Sequence, residues 1–338
     1  MLEESPVPFI RPAGMLPQVV PQRGGLVSEL QPLVNIPNNE DFALYVGFLL
    51  GFFQPYGACP HLGLFGEEGS AKSNTTRKAR DICDPNEAPS RREPREPNDI
   101  LVAAKNNLML CYDNLSRLPN WVSDMFCCLA TGSGDGRRKL YADDEEVIFS
   151  FKRQVVFNAI NEIASNSDLL SRTILLELPV LDKNKRRKES DIDGDFAKSQ
   201  PFILGALFDA VAIGLSRFKN VNISDLPRMA DFVSWVEACS PGLGWDENYF
   251  VGIYSKNREA VSDSAAELST VARLIIKLWL EEDEAPFAGS ASELYERLNR
   301  AAKPNYSLPN EAKVDIREAK DWPKDSPSLE RVRHSRSD

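Results

Sequence analysis

The stretch His61–Ser73, HLGLFGEEGSAKS, constrains the chain most: a short apolar run, a glycine-bearing turn, then a lysine and a serine opening a helix. His61–Phe65 lacks the alternation of a half-exposed strand and suits a buried one. Gly66 and Gly69 let the backbone turn so that successive N–H groups point inward, and Glu67, Glu68, Ser70, Ala71 and Asn74 complete the cradle. In such a strand–loop–helix unit Lys72 reaches the outer phosphates and Ser73 ligates Mg²⁺. One position departs from the usual pattern, because the residue just before the lysine is Ala71 rather than glycine. A positive φ there would cost alanine roughly 1–2 kcal/mol.

A chain of 338 residues with 42% apolar content can bury a large core, which excludes global disorder. Its net charge of −10 argues against broad, unspecific coating of nucleic acid, though not against a local basic strip. Six scattered cysteines with no CxxC pair, and only His61 and His334 as histidines, point to reduced, buried thiols rather than zinc. The start, MLEESPVPF, is neither basic nor apolar and does not read as a signal peptide. Phe42–Phe53 stops before Pro55, and Pro201–Phe218 carries Asp209, so both apolar runs read as core helices. A cytoplasmic protein with no membrane partner is the expectation.

The order of elements predicts an α/β fold with a parallel sheet, followed by an all-helical part. Residues 1–40 form a proline- and glycine-rich leader, and 41–182 carry the phosphate cradle. A charged linker over Asp182–Asp195 opens a helical lid at 183–283, with helices near 200–218, 225–239, 246–261 and 263–281. Residues 284–338 form a small tail. Within the cradle domain, helices are expected over about 41–53, from Ser73 to Cys83, over Asp99–Asn106 and over Pro119–Ala130. Strands are expected at Leu108–Tyr112, Arg153–Phe157 and Thr173–Leu178, with a hairpin over Arg137–Phe151.

Asp113 follows LMLCY, where a strand-end carboxylate can hold Mg²⁺; it also reads as an ordinary cap after a strand. Asn158 ends the next strand, where an amide can orient a water against a γ-phosphate, or simply make a turn. Arg172 precedes the last strand, either as a cation reaching a neighbour's nucleotide or as an ion-pair partner of Asp168. Arg228, in LPRMADF, either reaches nucleotide from the helical part or lies on a helix surface. The residue after Asp113 is Asn114, not the glutamate that often activates water in related ATPases.

The series of cradle, strand-end Asp, strand-end Asn and the two arginines resembles AAA+ ATPases over about residues 55–240. LATGSGDGRRKLYADDEEVIFSFKRQVVFNAIN looks like the LTGGD…R.LY…N pattern of superfamily 3 helicases, as in phage and plasmid primase–helicases of the poxvirus type. Thr131, Gly132 and Asp135 match its first element, Arg138, Leu140 and Tyr141 its second, and Asn158 its sensor asparagine. The resemblance implies a ring, hexameric in that family, with ATP and Mg²⁺ between subunits, Arg172 acting in trans and Arg137, Arg138 and Lys139 on DNA. It also implies partners in mobile-element replication. Asp143, Asp144, Glu145 and Glu146 would repel a DNA backbone, which weighs against translocation. FAGSASELYERLN and WPKDSPSLERVRHSR resemble part of a winged helix, with Arg331, Arg333 and Arg336 as phosphate contacts. The alternative function is a nucleotide-dependent switch or clamp with little turnover; a non-nucleotide structural role is a third.

Overall fold

A computed structural model of the chain describes residues 11–115, 118–132, 135–138, 146–149, 151–159, 167–182, 184, 186–224, 226–268, 271, 274–275, 278, 289–302, 317 and 322–325, with backbone alone at 135–138, 146–149 and 262–268. They fall into two units. The first takes the chain up to residue 163 together with 169–258, and the second takes 164–168 and the chain from 259 onward.

The first unit is built on a parallel sheet. Helix α1 (Asn39–Phe52) is capped by the Asn38 side chain, which accepts from Asp41 N at 2.8 Å. Strand β1 (His61–Phe65) leads into α2 (Lys72–Cys83), and α3 (Pro97–Asn106) into β2 (Met109–Leu115). Helix α4 (Asn120–Thr131) stops at Gly132, whose φ of 75° is adopted most readily by a residue without a Cβ. The expected hairpin is present as β3 (Asp135–Arg138) paired antiparallel with β4 (Glu146–Phe149). Then follow β5 (Gln154–Ala159), the short α5 (Ser167–Leu170) and β6 (Thr173–Glu177). The four parallel strands stand in the order β2-β5-β1-β6.

Strand periodicity sorts the side chains onto two faces. Leu62, Leu64, Met109, Cys111, Val156, Ile174 and Leu176 pack into one buried cluster with α1, α2 and the later helices. Leu110, Tyr112, Val155, Phe157 and Ala159 pack into another with α3 and α4. Asp113 and Asn158 continue the first series, so both project toward α2. Covering both faces in this way explains why the strands read as unbroken apolar runs. His61, fully buried, fixes the amino end: its ring accepts from Val155 N at 3.1 Å and meets Phe126 O at 2.8 Å.

The helical part differs from expectation. Helix α6 (Glu189–Arg217) begins eleven residues before the expected start near 200, taking in the acidic half of the presumed linker and carrying Pro201 in its interior. The cause is tertiary: Glu189 and Asp193 meet Arg77 and Lys78 of α2, with Lys78 Nζ 2.6 Å from Asp193. Helix α7 (Ala230–Cys239) follows, and α8 (Tyr249–Leu268) runs through 261–263, where two helices were expected. Phe196, Ile203, Leu204, Leu207, Phe232 and Phe250 share one core with Leu62 and Leu64. The helical segment up to Arg258 is therefore not a lid of its own; the division falls after Arg258 rather than at 182–183. Helix α6 is long and apolar enough to cross a bilayer by length and composition, while one face of it lines this core.

The leader is likewise strapped to the first unit. Residues Val27–Leu33 form a 3₁₀ helix that buries Val27, Leu30 and Leu33, and Gln22 N donates to Pro201 O at 2.8 Å. All six cysteines are free thiols, five of them buried. In the second unit α9 (Ala291–Ala301) is closed by a reciprocal cap, Glu293 N to Ser290 Oγ and Ser290 N to Glu293 Oε2. It packs Leu298 and Ala301 with Val271 and Leu274. Of the segment resembling a winged helix, Arg331, Arg333 and Arg336 lie outside the described residues.

Candidate phosphate-binding site

The loop between β1 and α2 lies at the carboxyl ends of the parallel strands, where ligands gather in open sheets of this kind. Gly66, with φ 139°, lies so close to the segment after β6 that a Cβ there would meet Leu178 O at 2.3 Å. Gly69 has φ 83°, and Ala71, the first residue outside α2, has φ 61° and ψ 27°. The left-handed conformation that glycine would supply is therefore adopted by alanine. Asn35 of the leader braces the loop, its amide nitrogen donating to Ser70 O at 3.0 Å and Pro179 O at 2.6 Å.

Lys72 Nζ is held by the loop itself, donating to Gly66 O at 2.5 Å and Glu67 O at 2.8 Å, with Ser70 Oγ at 3.3 Å. Burial lowers its pKa, while the carboxylates of Asp113 and Glu68 act the other way. Ser73 Oγ donates to Asp113 Oδ1 at 3.1 Å. Asn158 Nδ2 donates to the same oxygen at 2.7 Å, and Asn158 Oδ1 accepts from Thr76 Oγ1 at 2.8 Å. Four residues from one helix and two strands thus form a single chain of hydrogen bonds, Thr76–Asn158–Asp113–Ser73. Asn158 is wholly buried and lies within β5 rather than after it.

Thr76 was missed from sequence, although its signal was present: it stands three residues after Ser73 on the same helix face. Asn74, placed in the cradle from sequence, turns the other way and donates to Leu33 O at 3.0 Å. Asn114 is exposed, has φ 57°, and sits where the β2–β5 register slips between Tyr112 and Leu115. Asparagine tolerates that left-handed conformation better than most residues.

The two outlying arginines are elsewhere. Arg172 lies at the amino end of β6: its carbonyl accepts from His61 N at 2.8 Å and its guanidinium approaches Cys127 Sγ at 3.9 Å. A five-residue strand, roughly 16 Å at 3.3 Å per residue, separates that end from the loop. Arg228 precedes α7, and three residues on, Asp231 packs against Gly57, ahead of β1. Its charge is felt by Arg258, which bonds Leu170 O and Thr173 O. Arg228 thus lies toward the amino end of the sheet, beside Arg258, rather than beside the loop of its own chain. Of the DNA contacts expected from sequence, the side chains of Arg137 and Arg138 and all of Lys139 lie outside the described residues, as do residues 143–145.

Beside the loop opens a cavity of about 380 Å³, bounded by Ala71, Ser73, Arg77, Ser90, Arg187 and Ile192 among others. Among the described residues no group of three or more His, Cys, Asp or Glu side chains forms a metal cluster. One hydroxyl and one carboxylate suit Mg²⁺ instead, which takes few protein oxygens and fills its shell with phosphate and water.

The family described as "Actinomycete integrative conjugative element replication protein" matches residues 27–244, more than half of the chain. No curated protein matches. Among solved structures the chain is similar to the A-form apo structure of the NrS-1 C-terminal region, with TM-score 0.43 and 13% identity over 85% of this chain and 66% of that one. A second apo structure of that region gives TM-score 0.42 and 12% identity over 84% and 64%. JCV helicase with a bound thiazolopyridine acetamide gives TM-score 0.36 and 13% identity over 68% and 63%. The chain spans just under two thirds of each of those chains. TM-scores this low carry neither fold nor activity across.

Proposed function

The chain belongs to the family of actinomycete integrative conjugative element replication proteins, and we propose that it serves replication of such an element as an ATPase of the AAA+, superfamily 3 helicase type. One observation carries the reading. At the carboxyl ends of neighbouring strands, Lys72 of the glycine-bearing loop lies beside a hydrogen-bonded Ser73–Asp113–Asn158 set.

In this reading the loop amides and Lys72 receive the triphosphate. Ser73 and Asp113 hold Mg²⁺, which when bound screens the charge of the outer phosphates. Asn158, its amide oriented by Thr76, positions the attacking water. Arg172 and Arg228 share the end of the sheet opposite the loop. A head-to-tail ring, in which that end of one subunit meets the loop of the next, would let Arg172 act in trans. A cytoplasmic setting on DNA completes the proposal. The test is steady-state ATP turnover against protein concentration, with and without single-stranded DNA. Turnover per subunit should rise with assembly and with DNA, and Arg172→Ala should abolish the rise while leaving nucleotide affinity intact. Equal turnover by monomer and oligomer would remove the trans role.

A second reading, a nucleotide-dependent switch or clamp, is favoured by Asn114, which puts an exposed amide rather than an acid after Asp113. Tight ATP binding with no turnover under any of those conditions would select it.

A further inference from the structure

The segment between β6 and α6 runs across the phosphate loop. Leu178 N donates to Phe65 O at 2.8 Å, Leu181 N to Gly69 O at 3.3 Å, and Asn35 ties Pro179 to Ser70. It then delivers the basic run KNKRRK, residues 183–188. The neighbouring cations are spoken for by carboxylates of α6: Arg77 by Glu189, Lys78 by Asp193, Arg187 by Asp195. Arg186 differs. Its Nη2 stands 3.5 Å from the point a Cβ on Gly69 would occupy, and among the described residues no carboxylate lies within ion-pair distance of it.

Resting on the nucleotide reading above, we infer that Arg186 is a phosphate ligand supplied by the same chain, a second cation of the site beside Lys72. A planar guanidinium can offer two parallel N–H bonds to a phosphate, which the point charge of Lys72 cannot. The surroundings agree in two further ways. The cavity of about 380 Å³ begins at Ala71 and Ser73, on either side of Lys72, and is bounded by Arg187 and the start of α6. That volume is of the size that holds a small organic ligand, so a nucleotide with its phosphates on the loop has room for its nucleoside there. The loop itself contributes Glu67 and Glu68 on its exposed side, so a single lysine is a thin positive balance for a triphosphate.

The experiment is direct titration of fluorescent ATP, ADP and AMP, with Mg²⁺, into the full chain and into Lys72→Ala, Arg186→Gln, Arg186→Lys and Lys188→Gln. Arg186 and Lys188 are exposed, so their variants should keep the wild-type melting temperature. The inference predicts about tenfold weaker ATP binding in Arg186→Gln, a smaller loss for ADP, none for AMP, partial recovery in Arg186→Lys and no change in Lys188→Gln. If Lys72→Ala loses ATP while Arg186→Gln binds it as wild type does, Arg186 is not a ligand and the site reading stands. If Arg186→Gln loses single-stranded DNA instead of ATP, the run serves nucleic acid and the inference is overturned. Wild-type protein that binds none of the three nucleotides removes both.

Discussion

Asn158 donates to Asp113 Oδ1 at 2.7 Å while its own carbonyl oxygen accepts from Thr76 at 2.8 Å. The amide cannot turn over without losing both bonds, so its orientation toward the strand-end carboxylate is set by a threonine one helix away. Thr76→Val keeps the shape and removes the hydroxyl. Turnover should fall about 10–100-fold, the usual loss when a supporting partner is removed. ATP affinity should stay within a factor of about three, because the loop is untouched. Equal losses in affinity and turnover would mean that Thr76 supports the loop rather than Asn158.

Ala71 holds φ 61° at the mouth of α2, a conformation that disfavours any Cβ. Ala71→Gly should therefore stabilise the fold by about 1 kcal/mol, less the extra freedom glycine gains in the unfolded chain. The check is a urea titration: a higher midpoint with an unchanged slope. A lower midpoint would show that the left-handed turn is no burden to alanine.

His61 is buried with both ring nitrogens engaged, and burial lowers its pKa from 6.5 to about 4. Above pH 6.5 neither state binds the proton. As pH falls below 6.5 the unfolded chain takes it up and the folded chain does not, so stability declines until about pH 4, by about 3 kcal/mol in all. Between pH 6.5 and 5 most carboxylates are still charged, and the slope there should be shallower by up to one proton in His61→Gln. An identical slope in both proteins would exclude His61 as the source.

Asp84 ends α2 and accepts from Leu108 N at 2.8 Å and Met109 N at 3.0 Å, with Arg80 Nη1 at 3.2 Å. Arg80, only 2% exposed, also donates to Asn107 at 2.7 Å. Asp84→Ala leaves a buried guanidinium without its counter-charge and two strand amides without an acceptor. Destabilisation of about 3–5 kcal/mol is expected, read by chemical denaturation. A loss under 1 kcal/mol would mean that water reaches the Arg80 site.

Local pattern made the cradle legible. The apolar run, the two glycines and the Lys-Ser pair place β1, the loop and α2 with their bounds nearly right, and strand-end reasoning put Asp113 near the carboxyl end of β2, where it bonds Ser73. What escaped was long-range. Glu189–Asp195 reads as a charged linker until Arg77 and Lys78, more than a hundred residues earlier, are seen to neutralise its acids and let α6 begin there. Arg186 lies just before that stretch, and nothing in the local sequence pattern ties it to Gly69. The placing of Arg228 was hidden for the opposite reason: the helix that follows it is legible, but which end of the sheet that helix meets depends on the packing of Asp231 against Gly57.

The central claim is that the loop at Gly66–Lys72 receives a triphosphate. Calorimetric titration of ATP with Mg²⁺ into wild type and Lys72→Ala at equal protein concentration tests it most directly. Saturable binding by wild type that Lys72→Ala reduces at least about a hundredfold, with a cooperative unfolding transition retained by both proteins in the absence of nucleotide, is the predicted result. Equal affinity in the two proteins, or no binding by wild type, would contradict it.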